Sequence, residues 1–194
     1  MKTSSFKKTA LNSLVLLPIL SLSFALAAVT APVQAQTLLL NGTGIRHQSA
    51  GPLYSAGLYL DKKLVTSADV MGNHGAKQLR VVMLRDVSAA EMGDLLASGM
   101  AANASDDELS RLIPALFSLG KLFGEQKMLA AGDSFQMEST PGGETTISIQ
   151  AKLQSKPVRY VFAQPGLFGV MLRMWLGGHP ADEGLKSALL GEKS

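Results

Sequence analysis

Three histidines, His47, His74 and His179, are the first residues to weigh for metal or general-base chemistry. None has a histidine four positions away or a carboxylate at ligand spacing, and two of them adjoin glycine in predicted loops, so they read as surface histidines. Gly42-Thr43-Gly44 invites comparison with a dinucleotide-binding loop. The third glycine of that pattern would fall on His47, however, and another strand is predicted to follow where the motif needs a helix. The plainer reading of these glycines is a tight turn or the close approach of another stretch of backbone. Serine, histidine and aspartate all occur, but without the GxSxG elbow of a hydrolase. The absence of cysteine excludes disulfides, thiolate metal sites and a lipid-modified N-terminal cysteine. Nothing in the sequence calls for a cofactor.

Arg46 and Tyr54 are the more informative pair. Arg46 follows the glycine turn and Tyr54 lies in the next predicted strand, so the two can stand side by side. A guanidinium and a phenol in an apolar setting could clamp a carboxylate or a phenolate. Read from residue types alone, an ordinary Arg–acid pair at the sheet edge is the favoured account of Arg46. Methionine is the third feature. Eight of the nine methionines follow residue 35, with Met83, Met92, Met100, Met171 and Met174 on predicted core elements. They fill irregular space in any core, and would adapt to an apolar ligand if the fold encloses a cavity.

The elements that must position these groups follow from periodicity and capping. Residues 37–40 form a short apolar strand ending at the turn signal Asn41-Gly42. Pro52 to Leu60 is a second strand, and Ser67 to Met71 one helical turn. Lys77 to Leu84 is a third strand with apolar residues on both sides, as in a sheet covered on two faces. Ser88 with Glu91, and Ser105 with Glu108, are capping boxes that open two helices. Pro114 predicts a kink or break in the second. Ser134 to Glu138 and Thr145 to Gln150 flank Pro141-Gly142-Gly143 as a hairpin, and Lys156 to Phe162 is a further strand. Helices over 166–176 and 182–190 close the chain, with Gly191 at a terminal C′ position. Strands, a helical pair, strands and helices make an α+β fold with helices layered on an antiparallel sheet.

The formal charge of +3, from 18 Lys+Arg against 15 Asp+Glu, is misleading until it is located. Lys2, Lys7 and Lys8 are the only charged residues before Arg46, and without them basic and acidic residues balance at 15 each. A basic surface for nucleic acid or anionic lipid is therefore not expected. The three lysines, the apolar run Leu14 to Ala28, and Pro32 before Val33-Gln34-Ala35 have the order of a secretory signal cleaved before Gln36. Residues 1–35 are expected to be the signal peptide and 36–194 a single domain. A second cleavage site at Ala25-Leu26-Ala27, or an uncleaved anchor, remains open. The expected destination is a bacterial periplasm, with no stable membrane span after cleavage. Nothing marks an oligomer interface.

Several stretches together resemble one family. Asn41-Gly42-Thr43-Gly44-Ile45-Arg46 followed by Tyr54-Ser55-Ala56-Gly57-Leu58-Tyr59-Leu60 resembles the opening of bacterial chalcone isomerase-like proteins. Leu84-Arg85-Asp86-Val87-Ser88 resembles their mid-chain passage from strand to helix. Leu172-Arg173-Met174-Trp175-Leu176-Gly177, Pro180 and Leu185-Lys186-Ser187-Ala188-Leu189-Leu190-Gly191 resemble their C-terminal signature. The resemblance implies an open-faced sandwich with a ligand cleft between sheet and helices. In that family, enzymes close a flavonoid ring, and a plastid branch binds fatty acids. An arginine at the position of Arg46 faces the ligand's anionic oxygen, and Tyr54 falls where the fatty-acid binders carry tyrosine.

Departures favour the binding branch. The ring-closing enzymes carry a tyrosine, a lysine and an asparagine on or just before the first long helix, whereas residues 86–102 contain none of these. A late threonine of the family falls on Met174. Ring closure requires the phenolate to be oriented and the developing enolate stabilised together, too much for one arginine. The expectation is a non-catalytic binder of a small apolar carboxylate such as a fatty acid. Arg46 and Tyr54 would hold the carboxylate, and Met92, Leu95, Leu96 and Met174 the apolar part. An intramolecular lyase acting on an enone-like substrate, with Arg46 as its catalytic group, and an envelope interaction module without ligand are the alternatives.

Overall fold

The chain does not turn at Asn41-Gly42. In the computed structural model, which describes residues 37–192, β1 runs from Leu39 to Gln48 and the turn falls at Ser49-Ala50, before β2 (Gly51–Leu60). The β1–β2 register shifts between Leu40 and Gly42, so the Asn-Gly step is a bulge inside a strand. Tertiary contacts hold it there. The buried Asn41 side chain donates to the carbonyls of Leu64 (2.9 Å) and Leu189 (2.8 Å) and accepts from the Leu64 amide (2.8 Å).

After β2 come α1 (Ser67–Gly72), β3 (Lys77–Met83) and the two-residue strand β4 (Val87–Ser88), then the helices α2 (Ala89–Ala101) and α3 (Asp106–Glu125). The short β5 (Met128–Leu129) pairs with β4. Next are β6 (Ser134–Ser139), β7 (Thr145–Gln150), β8 (Val158–Phe162), α4 (Leu167–Leu176) and α5 (Glu183–Leu189). The main sheet has six strands in the order β1-β2-β3-β6-β7-β8, every neighbouring pair antiparallel.

Register decides which residues face the helices. Tyr54, Ala56 and Leu58 on β2 align with Met83, Val81 and Leu79 on β3, and these align in turn with Phe135 and Met137 on β6 and Ile147 and Ile149 on β7. All of them are buried. The opposite face is polar: Gln78 donates to Gln136 (3.0 Å), which donates to Glu138 (2.7 Å). The expectation that β3 is covered on both sides is therefore corrected. Its burial alternates, Arg80 is exposed, and Val82 lies only half-buried on the open face. The result is an α+β open-faced sandwich.

Two helix-end expectations also change. Ser105 and Glu108 complete the capping box of α3, but at α2 only Ser88 caps, accepting from the Glu91 amide at 3.1 Å. The Glu91 carboxylate instead binds Arg85 (2.5 Å). Helix α3 continues without a break through Pro114, and the next turn's Ser118 hydroxyl donates to the Pro114 carbonyl (3.1 Å). The predicted signal segment lies outside the described residues. Among the described residues, no helix is long and apolar enough to cross a membrane.

Candidate functional site

The bulge at Gly42 and the register of the first hairpin place Arg46 directly opposite Tyr54. Both point to the helical side of the sheet. The close approach expected at the glycines is observed. A Cβ on Gly42 would collide with the backbone carbonyls of Ala188 and Leu189, and one on Gly44 would stand 2.7 Å from the Ala188 Cβ. Helix α5 therefore lies flat on β1 and stops short of Arg46. Asp182, the N-cap of α5, accepts from the Leu185 amide (2.9 Å) and from the His47 amide (3.1 Å), fastening the helix start to the strand beside Arg46. Burial opposes its charge, but these backbone donors, with Gly184, hold its carboxyl below the usual range.

The guanidinium carbon of Arg46 lies 5.7 Å from the centroid of the Tyr54 ring, a cation over a π face. Tyr54 is 4% exposed, and its hydroxyl accepts from the Trp175 indole N–H at 2.9 Å. Burial pushes the Tyr54 phenol above its ordinary value, while Arg46 and Trp175 pull it back part of the way. Among the described residues Arg46 forms no ion pair, and its Nε is buried without a partner. The simple Arg–acid pair that residue types allow is not what the fold builds.

Arg46 lines a cleft of about 330 Å³ between the end of β1, the face of α2 that carries Leu95, Ser98 and Gly99, and the α4–α5 connection His179-Pro180-Ala181. That volume falls at the small end of ligand pockets. The connection is held by Asn103, which accepts from the His179 amide (3.0 Å) and donates to the His179 carbonyl (2.7 Å). Glu91 and Asp94 stand on the rim. Glu91 is neutralised by Arg85, whose Nη2 donates both to Glu91 and to Gln48 on β1 (2.9 Å), so one side of the cleft is laced shut. Asp94 is exposed and forms no ion pair among the described residues.

Of the six residues expected to hold a ligand, the structure brings three together. Arg46 and Leu95 line the cleft, and Tyr54 supports Arg46 from below. Met92 and Met174 are core residues, each 3% exposed, and neither lines this cleft. Met174 packs against Gly99, where a Cβ would meet its Cε at 2.7 Å. Leu96, about 100° further round α2 than Leu95, does not line this cleft. It lines an apolar groove of about 540 Å³ between α2 and α3, together with Met100, Leu109 and Leu116. Helix α2 thus separates a small cationic cleft from a larger apolar one. Trp175, Asn103 and Asp182 were not singled out by residue type, since each acts through a distant partner. Among the described residues no cluster of His, Asp and Glu is arranged to hold a metal ion.

The fold and site define an open-faced α+β sandwich with an arginine on the covered side of its edge strand. The sequence matches the family described as chalcone isomerase-like over residues 25–191, and the chain belongs to that family. No curated protein sequence matches it. Among solved structures it is similar to the Arabidopsis thaliana fatty-acid binding protein AtFAP1, with a TM-score of 0.57 and 15% identity over 79% of this chain and 86% of that one. At that identity the likeness is one of fold.

Proposed function

We propose that the protein is a non-catalytic binder of a small apolar carboxylate, such as a fatty acid, with Arg46 as the anchor of the carboxylate. The observation that carries this reading is the state of Arg46: a cation on the covered face of the sheet, beside a cleft, with a buried Nε and no acidic partner among the described residues. A buried donor without an acceptor is costly, and a carboxylate supplies two acceptor oxygens in the geometry of a guanidinium. Because basic and acidic residues balance after residue 35, attraction of an anion must come from this local group. The similar fold of a protein named for fatty-acid binding agrees with the reading. Leu95 gives the first apolar contact beyond the headgroup. A longer tail would have to pass α2, which is seated in the core by Met92, Leu96 and Met100, to reach the groove lined by Leu96.

Native mass spectrometry of the purified protein with micromolar dodecanoate tests this. The expected result is one ligand retained by the wild type and lost in Arg46→Ala. Absence of binding by the wild type, or equal binding by the variant, would sink the idea. We further propose that residues 1–35 are a cleaved export signal and that the domain works in the periplasm. Expression in a Gram-negative host should release protein beginning at Gln36 on osmotic shock. Full-length protein in the membrane pellet would contradict it.

A further inference from the structure

Two apolar side chains on the outer side of α3 stand in water: Phe117 is 84% exposed and Ile113 59%. Four residues apart, they share one face of the helix. Ile113 lines the groove between α2 and α3, and both residues line an adjoining shallow hollow of about 510 Å³. Leu116 and Gly120 belong to both depressions. Gly93 and Gly120 line the α2–α3 groove from inside helices, where glycine is the weakest helix former short of proline. A Cβ on either would meet no atom within 4 Å, so among the described residues nothing requires them to be small. The surface therefore sets an exposed aromatic knob beside an unfilled apolar hollow.

A knob and a hollow on one surface are self-complementary under two-fold symmetry. We propose that this face of α3 is the interface of a two-fold dimer of the chain, with the two α3 helices antiparallel and Phe117 of each copy seated in the α2–α3 groove of the other. An axis midway between Ile113 and Phe117 sets each of them against the other in the second copy. It also sets Ser110 against Gly120 of the second copy, small against small on both sides of the apolar centre, so the helices can approach closely. Charge fits the same register. Lys121 falls opposite Leu109 of the second copy, three residues or about 4.5 Å along the axis from its Asp106, which closes that end of the groove. Asp106 forms no ion pair among the described residues. Lys121 reaches only Glu125, at 3.9 Å, and Glu125 also accepts from the Tyr160 hydroxyl (3.0 Å). A parallel pairing would instead oppose Asp106 and Asp107 to their own copies. The balance of 15 basic and 15 acidic residues after residue 35 leaves no net charge to hold two copies apart. The inference is independent of the carboxylate reading, since α2 separates this groove from the Arg46 cleft.

Sedimentation velocity of the purified protein, from micromolar to near-millimolar concentration, tests this. The wild type should pass from monomer to dimer as concentration rises. Phe117→Ser should raise the dissociation constant at least about thirty-fold, the loss of a central aromatic anchor. A wild type that stays monomeric throughout, whether or not it binds phosphatidylglycerol vesicles, overturns the inference. So does a dimer that Phe117→Ser leaves intact, since it must use another face. Cross-linking tests the register, because the chain has no cysteine of its own. Ser110 and Gly120 are both exposed, so a cysteine at either spares the core. Ser110→Cys and Gly120→Cys proteins, mixed and treated with a short bis-maleimide, should cross-link to each other far more than either does to itself. Equal cross-linking in mixed and unmixed samples refutes the antiparallel pairing. Should Phe117→Ser fail to fold, the cross-linking result decides.

Discussion

Gly42 lies directly beneath the carbonyl of Ala188, so close that no side-chain carbon fits between strand and helix. The neighbouring carbonyl of Leu189 would be 2.5 Å from the same Cβ. Both obstacles are backbone, which cannot swing aside as a side-chain tip can. Helix α5 gains its seat on β1 because the strand presents glycines at positions 42 and 44.

Gly42→Ala should therefore destabilise the protein by about 3 kcal/mol, the upper range for forcing one carbon into a filled space. For a domain of this size that lowers Tm by roughly 10 °C. Gly143→Ala serves as a contrast, because no atom lies near its missing Cβ and its cost comes only from a positive φ of 84°. Thermal melts in which Gly42→Ala is milder than Gly143→Ala would contradict the seating of α5 described above.

Tyr54 predicts an alkaline limit. Burial raises its folded-state value above the ordinary 10.0, so the native state holds the phenol proton more tightly than the unfolded chain. The resulting stability is complete below pH 10.0 and is lost as pH rises through the higher folded value. Denaturant midpoints measured upward from pH 9 should fall more steeply for the wild type than for Tyr54→Phe. Parallel curves would show that Tyr54 titrates as freely as in the unfolded chain.

Glu108, at the start of α3, predicts an acid limit. The Ser105 amide, first, and Arg173 at 2.8 Å, second, hold its carboxyl below the usual 4.5. A depressed value means stability that is present above 4.5 and lost as pH falls through the folded-state value. Its side chain is 33% exposed, so solvent screens the ion pair, and the cap is the larger contribution. Glu108→Ala should cost about 1 kcal/mol at neutral pH and much less at pH 3. An equal cost at both pH values would mean that the charge is irrelevant.

Asp94 bears on the binding reading. It is an exposed carboxylate on the rim of the Arg46 cleft, so it repels the anion that Arg46 would attract. Asp94→Asn should tighten dodecanoate binding about two- to three-fold, a gain that disappears at high salt because the rim faces solvent. A variant that binds more weakly at low salt would place the carboxylate elsewhere.

How far the sequence anticipated these relationships depended on the reach of each signal. Local chemistry was readable: Ser105 and Glu108 mark the start of α3 because both partners of the box lie within one turn. The hairpin of β6 and β7 was legible from its period-two pattern, whereas the apolar run of β3 hid the fact that only one of its faces is covered. Asn41-Gly42 misled, because its conformation is set by Leu64 and Leu189 and not by its neighbours. Helix α4 gave no face at all. Nearly every residue of Leu167–Leu176 is buried, so periodicity could not show that Trp175 meets Tyr54 while Met174 meets Gly99. Adjacent leucines on α2 turned out to serve different cavities, Leu95 the cationic cleft and Leu96 the apolar groove. Arg46 was legible because it follows the glycine pair and stands near Tyr54 of the next predicted strand, a position the family resemblance also marks.

The seat of α5 on β1 also fixes an order of events in time. The strand that carries Arg46 belongs to the earliest part of the domain to be synthesised, and its cover, residues 183–189, is among the last. Asn41 finds its Leu189 acceptor only across 148 positions, a closure that local structure cannot accelerate. Until then β1 is both the outermost strand of the sheet and bare on its glycine face, the kind of surface to which another chain can pair. The glycine face of the strand that carries Arg46 is thus covered late, by α5.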